Sequence, residues 1–155
     1  MYYDNIMVTA LRVANLSEDP SAKVGCVIVN KEGDILSVGF NRKKKNIKHN
    51  MMDYINVNKH VKQYAFEHAE KVALDALPKS AVGQLVDVYI TYPSCMQCTT
   101  EMLLNSECKV NTVYYISTGS DSFKERYKVN EALETMQNLG VTTIPINEDI
   151  KWDIL

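Results

Sequence analysis

His68-Ala69-Glu70 and, further along, Cys95-Met96-Gln97-Cys98 are the two stretches that decide the fold of this 155-residue chain. One imidazole and two thiolates can fill three positions of a tetrahedral zinc ion and leave the fourth for water. Glu70 is not needed as a ligand, and it stands where a proton carrier would have to be. The two stretches therefore predict a zinc site held by His68, Cys95 and Cys98, with Glu70 as the catalytic residue.

The spacing of His68 and Glu70 predicts that a helix begins at the histidine. Residues two apart in a regular helix point nearly opposite ways, since each residue turns by about 100°. Both can therefore face one site only where the first lies at the helix start. The apolar pattern that follows predicts a helix over 69–77, ended by Pro78. Cys95 and Cys98 similarly suit the beginning of a helix over 96–105, and two helix N-termini would favour thiolates and bound hydroxide.

Each motif alone has a simpler interpretation. Cys-x-x-Cys also serves redox pairs and structural zinc sites, and a lone His-x-Glu carries little information. A structural zinc site would need a fourth protein ligand, and neither Cys26 nor Cys108 has a partner at ligand spacing. Cys26 lies in an apolar run that reads as a buried strand, so a packed core thiol explains it. The two motifs together favour a catalytic site.

The rest of the chain predicts helices that alternate with strands. Two apolar segments joined by turn residues predict an antiparallel hairpin, whereas residues 41–66 show no clear period. The predicted strands are 24–29, 35–40, 86–92, 110–116 and 141–146, and the other predicted helices are 4–17 and 122–139, the latter ended by Gly140. This order implies an α/β fold with a mixed sheet that helices cover on both faces.

Composition narrows the class of protein. Apolar residues make up 46% of the chain, and a single domain over 1–155 would bury roughly 70% of its unfolded surface. The net charge of -2 gives no overall attraction to nucleic acid or to an anionic membrane. No apolar run approaches a membrane span, and Met1-Tyr2-Tyr3-Asp4 does not open a secretory signal. Because two of four cysteines are committed to metal, we expect a reducing compartment, the cytoplasm.

The two motifs in this order form the signature of zinc-dependent nucleobase deaminases. The chain resembles the cytidine and deoxycytidylate deaminase superfamily, and within it the deoxycytidylate (dCMP) deaminases most. Segments 22–29, 37–41, 66–70, 123–127 and 139–141 carry the resemblance over nearly the whole chain. It implies a cytidine-deaminase-like three-layer sandwich with a mixed five-stranded sheet. It also implies a homo-oligomer that converts dCMP to dUMP and ammonia.

The same resemblance implies which residues hold the substrate. Asn41 matches an asparagine that contacts the sugar or base in related deaminases, although a turn residue at a strand end explains it equally well. The main chain around Ala69, and from Thr91 to Ser94, is where those enzymes hold the pyrimidine edge. The basic run Arg42-Lys43-Lys44-Lys45, with Lys48 nearby, follows Asn41 at the mouth of the nucleotide site.

We expect Arg42 and Lys43 in this basic run to contact a 5′-phosphate, because a bound dianion would offset the repulsion among adjacent cations. A solvated surface loop is the alternative, as runs of charge usually are.

The chain also departs from the resembling enzymes in three places. Val72 replaces an asparagine, Ser94 replaces the proline before the first metal cysteine, and the basic run replaces a turn that contains glycine or proline.

Several other functions share parts of this pattern. A tRNA adenosine deaminase would use the same metal signature but is expected to show a basic face for RNA. A free-cytidine deaminase usually carries three metal cysteines, and deaminases of dCTP or modified dCMP stay open as alternatives. A non-catalytic zinc scaffold would have no use for Glu70 or for an open coordination position. The pattern favours dCMP, with a small-molecule nucleotide as partner and neither nucleic acid nor membrane.

Overall fold

The computed structural model describes residues 2–19, 22–44, 65–105, 107–118 and 121–150. The helices are α1 (Tyr2–Ala14), α2 (Ala69–Asp75), α3 (Met96–Thr100), α4 (Asp121–Arg126) and α5 (Val129–Asn138). The strands are β1 (Gly25–Asn30), β2 (Ile35–Phe40), β3 (Arg42–Lys43), β4 (Phe66–Glu67), β5 (Leu85–Ile90), β6 (Lys109–Ile116) and β7 (Thr142–Ile146). A 3₁₀ turn covers Lys79–Ala81, and a π-helical turn, Glu101–Asn105, continues α3. No helix among these residues is long and apolar enough to cross a membrane.

Five strands form one mixed sheet in the order β2-β1-β5-β6-β7. Strand β1 lies antiparallel to both β2 and β5, so Cys26 is opposite Gly39 on one side and Ile90 on the other. Strands β5, β6 and β7 run parallel, since the segments that connect them cross over through helices. The predicted mixed five-stranded sheet is confirmed.

Alternating residues of the central strands pack into two separate hydrophobic cores, one on each face of the sheet. Val27 and Val29 of β1 pack with Met7 and Ala10 of α1, whereas Ile28 packs with residues of α2, the π turn and α5. This division follows from the strand period, because successive side chains point to opposite faces. Helix α1 therefore covers one face and the α2, α3 and α5 layer covers the other, which confirms the three-layer α/β sandwich.

Helix α2 lies unusually close to the sheet where it crosses β2. A Cβ atom added to Gly39 would collide with the main chain of Ala69 and Ala73. Ser37, two residues earlier on the same face, donates a hydrogen bond of 2.8 Å from its hydroxyl to the carbonyl oxygen of Ala73. Glycine at 39 thus lets the helix that carries Glu70 sit directly on the backbone of β2.

The structure differs from the prediction in the helices and in one short pair of strands. The helix predicted over 4–17 ends at Ala14. The helix predicted over 122–139 is divided into α4 and α5 because Lys128 takes a left-handed conformation, with φ of 53°. The helix predicted over 96–105 keeps α-helical geometry only to Thr100 and then widens into the π turn. The short antiparallel pair of β3 and β4 was not predicted, because two-residue strands carry no period.

Candidate metal and catalytic site

The three predicted metal ligands meet at the beginnings of two helices. His68 is the N-cap residue of α2 and has extended backbone angles, as the spacing of His68 and Glu70 predicts. Cys95 is the N-cap residue of α3, and its Sγ accepts a hydrogen bond of 3.3 Å from the main-chain N–H of Cys98. This capping bond fixes the Cys95 thiol, and the thiols of both cysteines lie close to the histidine.

The donor atoms of His68, Cys95 and Cys98 have the separations that a tetrahedral metal requires. All three lie within 4.8 Å of one another, and His68 Nδ1 is 3.1 Å from Cys98 Sγ and 3.4 Å from Cys95 Sγ. A tetrahedral zinc with ordinary bond lengths would separate its nitrogen and sulfur ligands by about 3.5 Å. Thiolate and imidazole donors are also those that zinc prefers. The residues present therefore fit a metal ion, and they leave one tetrahedral position open.

Glu70 lies beside this cluster and is almost completely buried, with 4% of its surface exposed. Its Oε2 accepts a hydrogen bond of 3.1 Å from the hydroxyl of Ser94, which directly precedes the first metal cysteine. Removal from water raises the pKa of the Glu70 carboxyl, and the charge of Cys95 raises it further. A buried carboxyl beside a metal site, with its affinity for protons increased, is suited to proton transfer.

The three donor residues shift one another's pKa values. A hydrogen bond from Cys98 lowers the pKa of Cys95 to about 5, and the bond to Cys95 raises the pKa of His68. The pKa of Cys98 is raised, first by its bond to Cys95 and then by burial. Because metal ligands must be deprotonated, metal binding would displace these protons.

Tyr127 contacts His68, and the sequence pattern did not predict this contact. Its ring meets the His68 ring edge to face, with centroids 5.8 Å apart, and its carbonyl oxygen accepts a bond of 3.0 Å from the N–H of Met96. The division between α4 and α5 places Tyr127 here. One residue thus buttresses both the histidine ligand and the first turn of α3. No local signal in the sequence predicts this, because the contact depends on how two distant segments pack.

The side chain of Asn41 is engaged by its own neighbourhood. Its Oδ1 accepts a bond of 2.8 Å from the N–H of Val24, and its Nδ2 donates to the carbonyl oxygen of Ala22 at 2.7 Å and to Asp19 at 3.3 Å. Asn41 is only 6% exposed. These bonds favour the interpretation of Asn41 as a residue that holds a turn, and its contact with a substrate stays a prediction.

Ala69 and Thr91 are both completely or almost completely buried in the layer around the site. Ala69 follows His68 and packs against β2 at Gly39. The N–H of Thr91 donates to the carbonyl oxygen of Gly25, and its Oγ1 accepts from the N–H of the same glycine, both at 3.0 Å. These bonds pin the segment that leads from β5 to the metal cysteines, and contacts of Ala69 and Thr91 with a substrate stay predictions.

The cations predicted to contact phosphate already have acidic partners. Arg42 Nε lies 2.8 Å from Glu67 Oε2, and Lys43 Nζ lies 3.0 Å from Glu18 Oε2. Both pairs are partly exposed, so solvent screens them and each contributes little to stability. Lys44 is near enough to the site for its charge to oppose protonation of His68. Lys45 and Lys48 lie outside the described residues.

The described residues also line a cavity of about 330 Å³ away from the metal cluster. It lies at the C-terminal end of α2, between that helix, the 3₁₀ turn and the π turn, and its lining includes Lys71, Asp75, Glu101 and Cys108. None of His68, Glu70, Cys95 or Cys98 borders it. The candidate functional site is therefore identified by its donor atoms and the buried Glu70 carboxylate, and not by this cavity.

Known proteins share both the sequence and the fold. A probable deoxycytidylate deaminase of Caenorhabditis elegans is 32% identical over 112 residues, a match that covers 70% of this chain and 52% of the relative. The chain thus spans about half the length of that curated relative. The crystal structure of a dCMP deaminase from the cyanophage S-TIM5, in complex with dCMP and dUMP, superimposes with a TM-score of 0.68 at 21% identity, covering 93% of this chain and 96% of that one.

A further similarity in fold extends to a protein in which the matching region is one part of a longer chain. The diaminohydroxyphosphoribosylaminopyrimidine deaminase/reductase of Thermotoga maritima gives a TM-score of 0.64 at 20% identity, over 97% of this chain and 38% of that one.

The family model described as the cytidine and deoxycytidylate deaminase zinc-binding region matches residues 2–117, which include all three donor residues and Glu70. The chain therefore belongs to the cytidine and deoxycytidylate deaminase family.

Proposed function

We propose that this protein is a zinc-dependent deoxycytidylate deaminase that converts dCMP and water to dUMP and ammonia. The observation that carries the proposal is the buried carboxylate of Glu70 beside three donor atoms spaced for a tetrahedral metal. Membership of the deaminase family and the deoxycytidylate deaminase name of the 32% identical relative support the same reaction. A scaffold would gain nothing from a buried carboxylate that is not a ligand.

In the proposed reaction, His68, Cys95 and Cys98 hold the metal and Glu70 moves the protons. Bound zinc lowers the pKa of a coordinated water to about 7, so that a nucleophile is available at neutral pH. The attacking water loses one proton, which N3 of the cytosine ring gains. The new C4 hydroxyl then loses the second proton as it becomes a carbonyl, and the 4-amino group gains this proton to leave as ammonia. Glu70 takes and delivers these protons, because its carboxylate is not a metal ligand.

A substrate panel tests the reaction directly. Ammonia release from the purified, zinc-loaded protein is measured with dCMP, dCTP, CMP, deoxycytidine, 5-modified dCMP and tRNA adenosine. We expect the highest kcat/KM with dCMP and dUMP as its product. Faster release from tRNA adenosine, or no release from any cytosine compound, would contradict the proposal.

The proposed phosphate contact is made by Arg42 and Lys43. In this role the two cations exchange Glu67 and Glu18 for the 5′-phosphate, which costs little because both existing pairs are partly exposed. Neutralising the pair with Arg42→Gln and Lys43→Gln should raise KM for dCMP several-fold and leave the slower reaction of deoxycytidine nearly unchanged. Rising salt should weaken dCMP binding more in the wild type than in the variant.

A matched double variant separates a phosphate contact from a general change of charge. Arg12 and Lys31 are both exposed and lie on α1 and in the β1–β2 turn. Replacing them by glutamine removes the same two charges and should leave KM for dCMP unchanged. Equal KM values for dCMP and deoxycytidine in the wild type would remove the phosphate contact from the proposal. The single domain, the homo-oligomer and the cytoplasmic location are proposed on the sequence alone.

A further inference from the structure

The hydroxyl of Ser94 is held against the carboxylate of Glu70 in a buried part of the site. Ser94 Oγ donates to Glu70 Oε2 at 3.1 Å, and the two residues are 2% and 4% exposed. Ser94 is also bonded covalently to Cys95, the N-cap residue of α3. The hydroxyl therefore connects the loop that carries the metal cysteines to the helix that carries the proton carrier.

A buried carboxylate needs donors of this kind, because leaving it without hydrogen bonds is costly. Cys98 also reaches the Glu70 carboxylate through its side chain. Once Cys98 is a metal ligand it is a thiolate with no proton to donate. The bond from Ser94 uses no atom of the metal cluster, so it does not depend on a proton that metal binding would displace.

The donor comes from a departure of this chain from the enzymes it resembles. They usually have proline at the position of Ser94, and proline has neither a hydroxyl nor a main-chain N–H. In this chain Pro93 stands one residue earlier. The exchange introduces a hydrogen-bond donor at the position that touches Glu70.

We propose that Ser94 is a positioning residue for Glu70 in the deamination reaction, an inference that rests on the proposed function. Fixing one carboxylate oxygen sets the direction of the other, which then faces the reacting atoms. A hydroxyl both donates and accepts, so the same pair can stay bonded whether Glu70 is ionised or carries the proton in transit. Ser94 thus keeps the carboxylate in one orientation through both proton transfers.

The test compares hydroxyl-free and hydroxyl-bearing variants at position 94. Ser94→Ala should lower kcat for dCMP by about ten- to a hundredfold, which is the usual worth of a hydrogen bond to a charged group, and should leave KM within about twofold. Ser94→Thr, which keeps the hydroxyl, should recover most of the lost kcat. Both variants should keep the zinc content of the wild type, and Ser94→Ala should lower the unfolding temperature no more than the control variant described next.

Ser37→Ala is the matched control. Ser37 is a buried serine whose hydroxyl bonds to the same helix α2, at Ala73 instead of Glu70. Its loss should lower the unfolding temperature and leave kcat unchanged. If Ser37→Ala reduces kcat as much as Ser94→Ala does, the effect belongs to helix α2 as a whole and the proposal is overturned.

Ser94→Pro supplies a second variant without the hydroxyl, with the residue that the resembling enzymes carry. Wild-type kcat in a folded, zinc-loaded form of either Ser94→Ala or Ser94→Pro overturns the proposal. Loss of fold or zinc in both would overturn it as well, since Ser94 would then be structural. A wild type that deaminates no cytosine compound overturns the proposed function and this role with it, whereas an active wild type with unaffected variants overturns this role alone.

Discussion

On each face of the central sheet a helix packs closely over a glycine, but the two faces bury different kinds of side chain. Helix α1 lies on one face, where a Cβ added to Gly25 would collide with the α1 backbone, and α2 lies on the other, where Gly39 plays the same part. The α1 face buries apolar side chains and a stacked pair of rings, Tyr89 and Tyr114, whose centroids are 4.4 Å apart.

The α2 face buries ionisable side chains that an apolar core would exclude. Glu70, Cys95 and Cys98 are all buried, and His68 lies next to them. Burying such groups is unfavourable unless they are paired or bind a metal. The comparison teaches that the α1 face serves the free energy of folding alone, whereas the α2 face gives up part of that free energy to hold reactive groups in place.

Removing the metal should produce the largest effect, and on the α2 face alone. The Cys95→Ala, Cys98→Ala double variant should lose its zinc and all measurable deamination, because one histidine cannot hold the ion. It should also unfold at a lower temperature, since bound metal contributes to stability. Metal analysis and thermal unfolding measure both losses.

The other two buried cysteines provide the matched control for metal loss. Cys26 and Cys108 are buried in the same layer but are not part of the donor cluster. A Cys26→Ala, Cys108→Ala variant should keep one zinc per chain. Full zinc retention in the Cys95, Cys98 variant, or zinc loss in the Cys26, Cys108 variant, would refute the assignment of the ligands.

Glu70→Gln should have the next largest effect and should change the rate without changing the fold. The amide nearly matches the carboxylate in shape but cannot carry protons, so kcat should fall by about 10²–10⁴-fold while zinc is retained. Asp75→Asn is the control, because it makes the same chemical change on the exposed side of α2. A Glu70→Gln variant with near wild-type kcat would exclude Glu70 as the proton carrier.

Two buried methionines compare the faces by the same substitution. Met7 on α1 is 0% exposed, and Met102 in the π turn that follows α3 is 1% exposed. Each change to alanine should lower the free energy of unfolding by about 2–5 kcal/mol. Met102→Ala should also reduce kcat by about tenfold, because it loosens the packing behind the metal loop, and Met7→Ala should not. Denaturant unfolding measures the change in stability, and kcat is measured on the folded fraction of each variant. Equal kcat values for the two variants would show that the two faces do not differ in their effect on catalysis.

The exposed side of α2 should show the smallest effect. Lys71 and Asp75 form an exposed pair one helical turn apart, with a distance of 3.2 Å between Nζ and Oδ2. Lys71→Ala should change the free energy of unfolding by no more than about 0.5 kcal/mol and should leave kcat unaltered. A larger change in kcat would mean that the chemistry extends beyond the buried side of this helix.

Local patterns of residues were enough to predict the donor residues and the order of the elements. His68, Glu70, Cys95 and Cys98 are recognisable because metal donors and a proton carrier require particular residue types at particular spacings, and those spacings are local. The strands of the sheet were predictable for a similar reason, since a strand buried on one or both faces shows its period within a few residues. The start of α2 at His68 also followed from local geometry alone.

Tertiary structure alone decided which distant groups support that chemistry. The bond from Ser94 to Glu70, the contact of Tyr127 with His68 and the pairing of Arg42 with Glu67 join segments that lie far apart in the chain. The break between α4 and α5 follows the same logic, because Lys128 adopts a left-handed conformation that its residue type does not favour. Such features depend on how whole elements pack against one another, and no local pattern of residues encodes them.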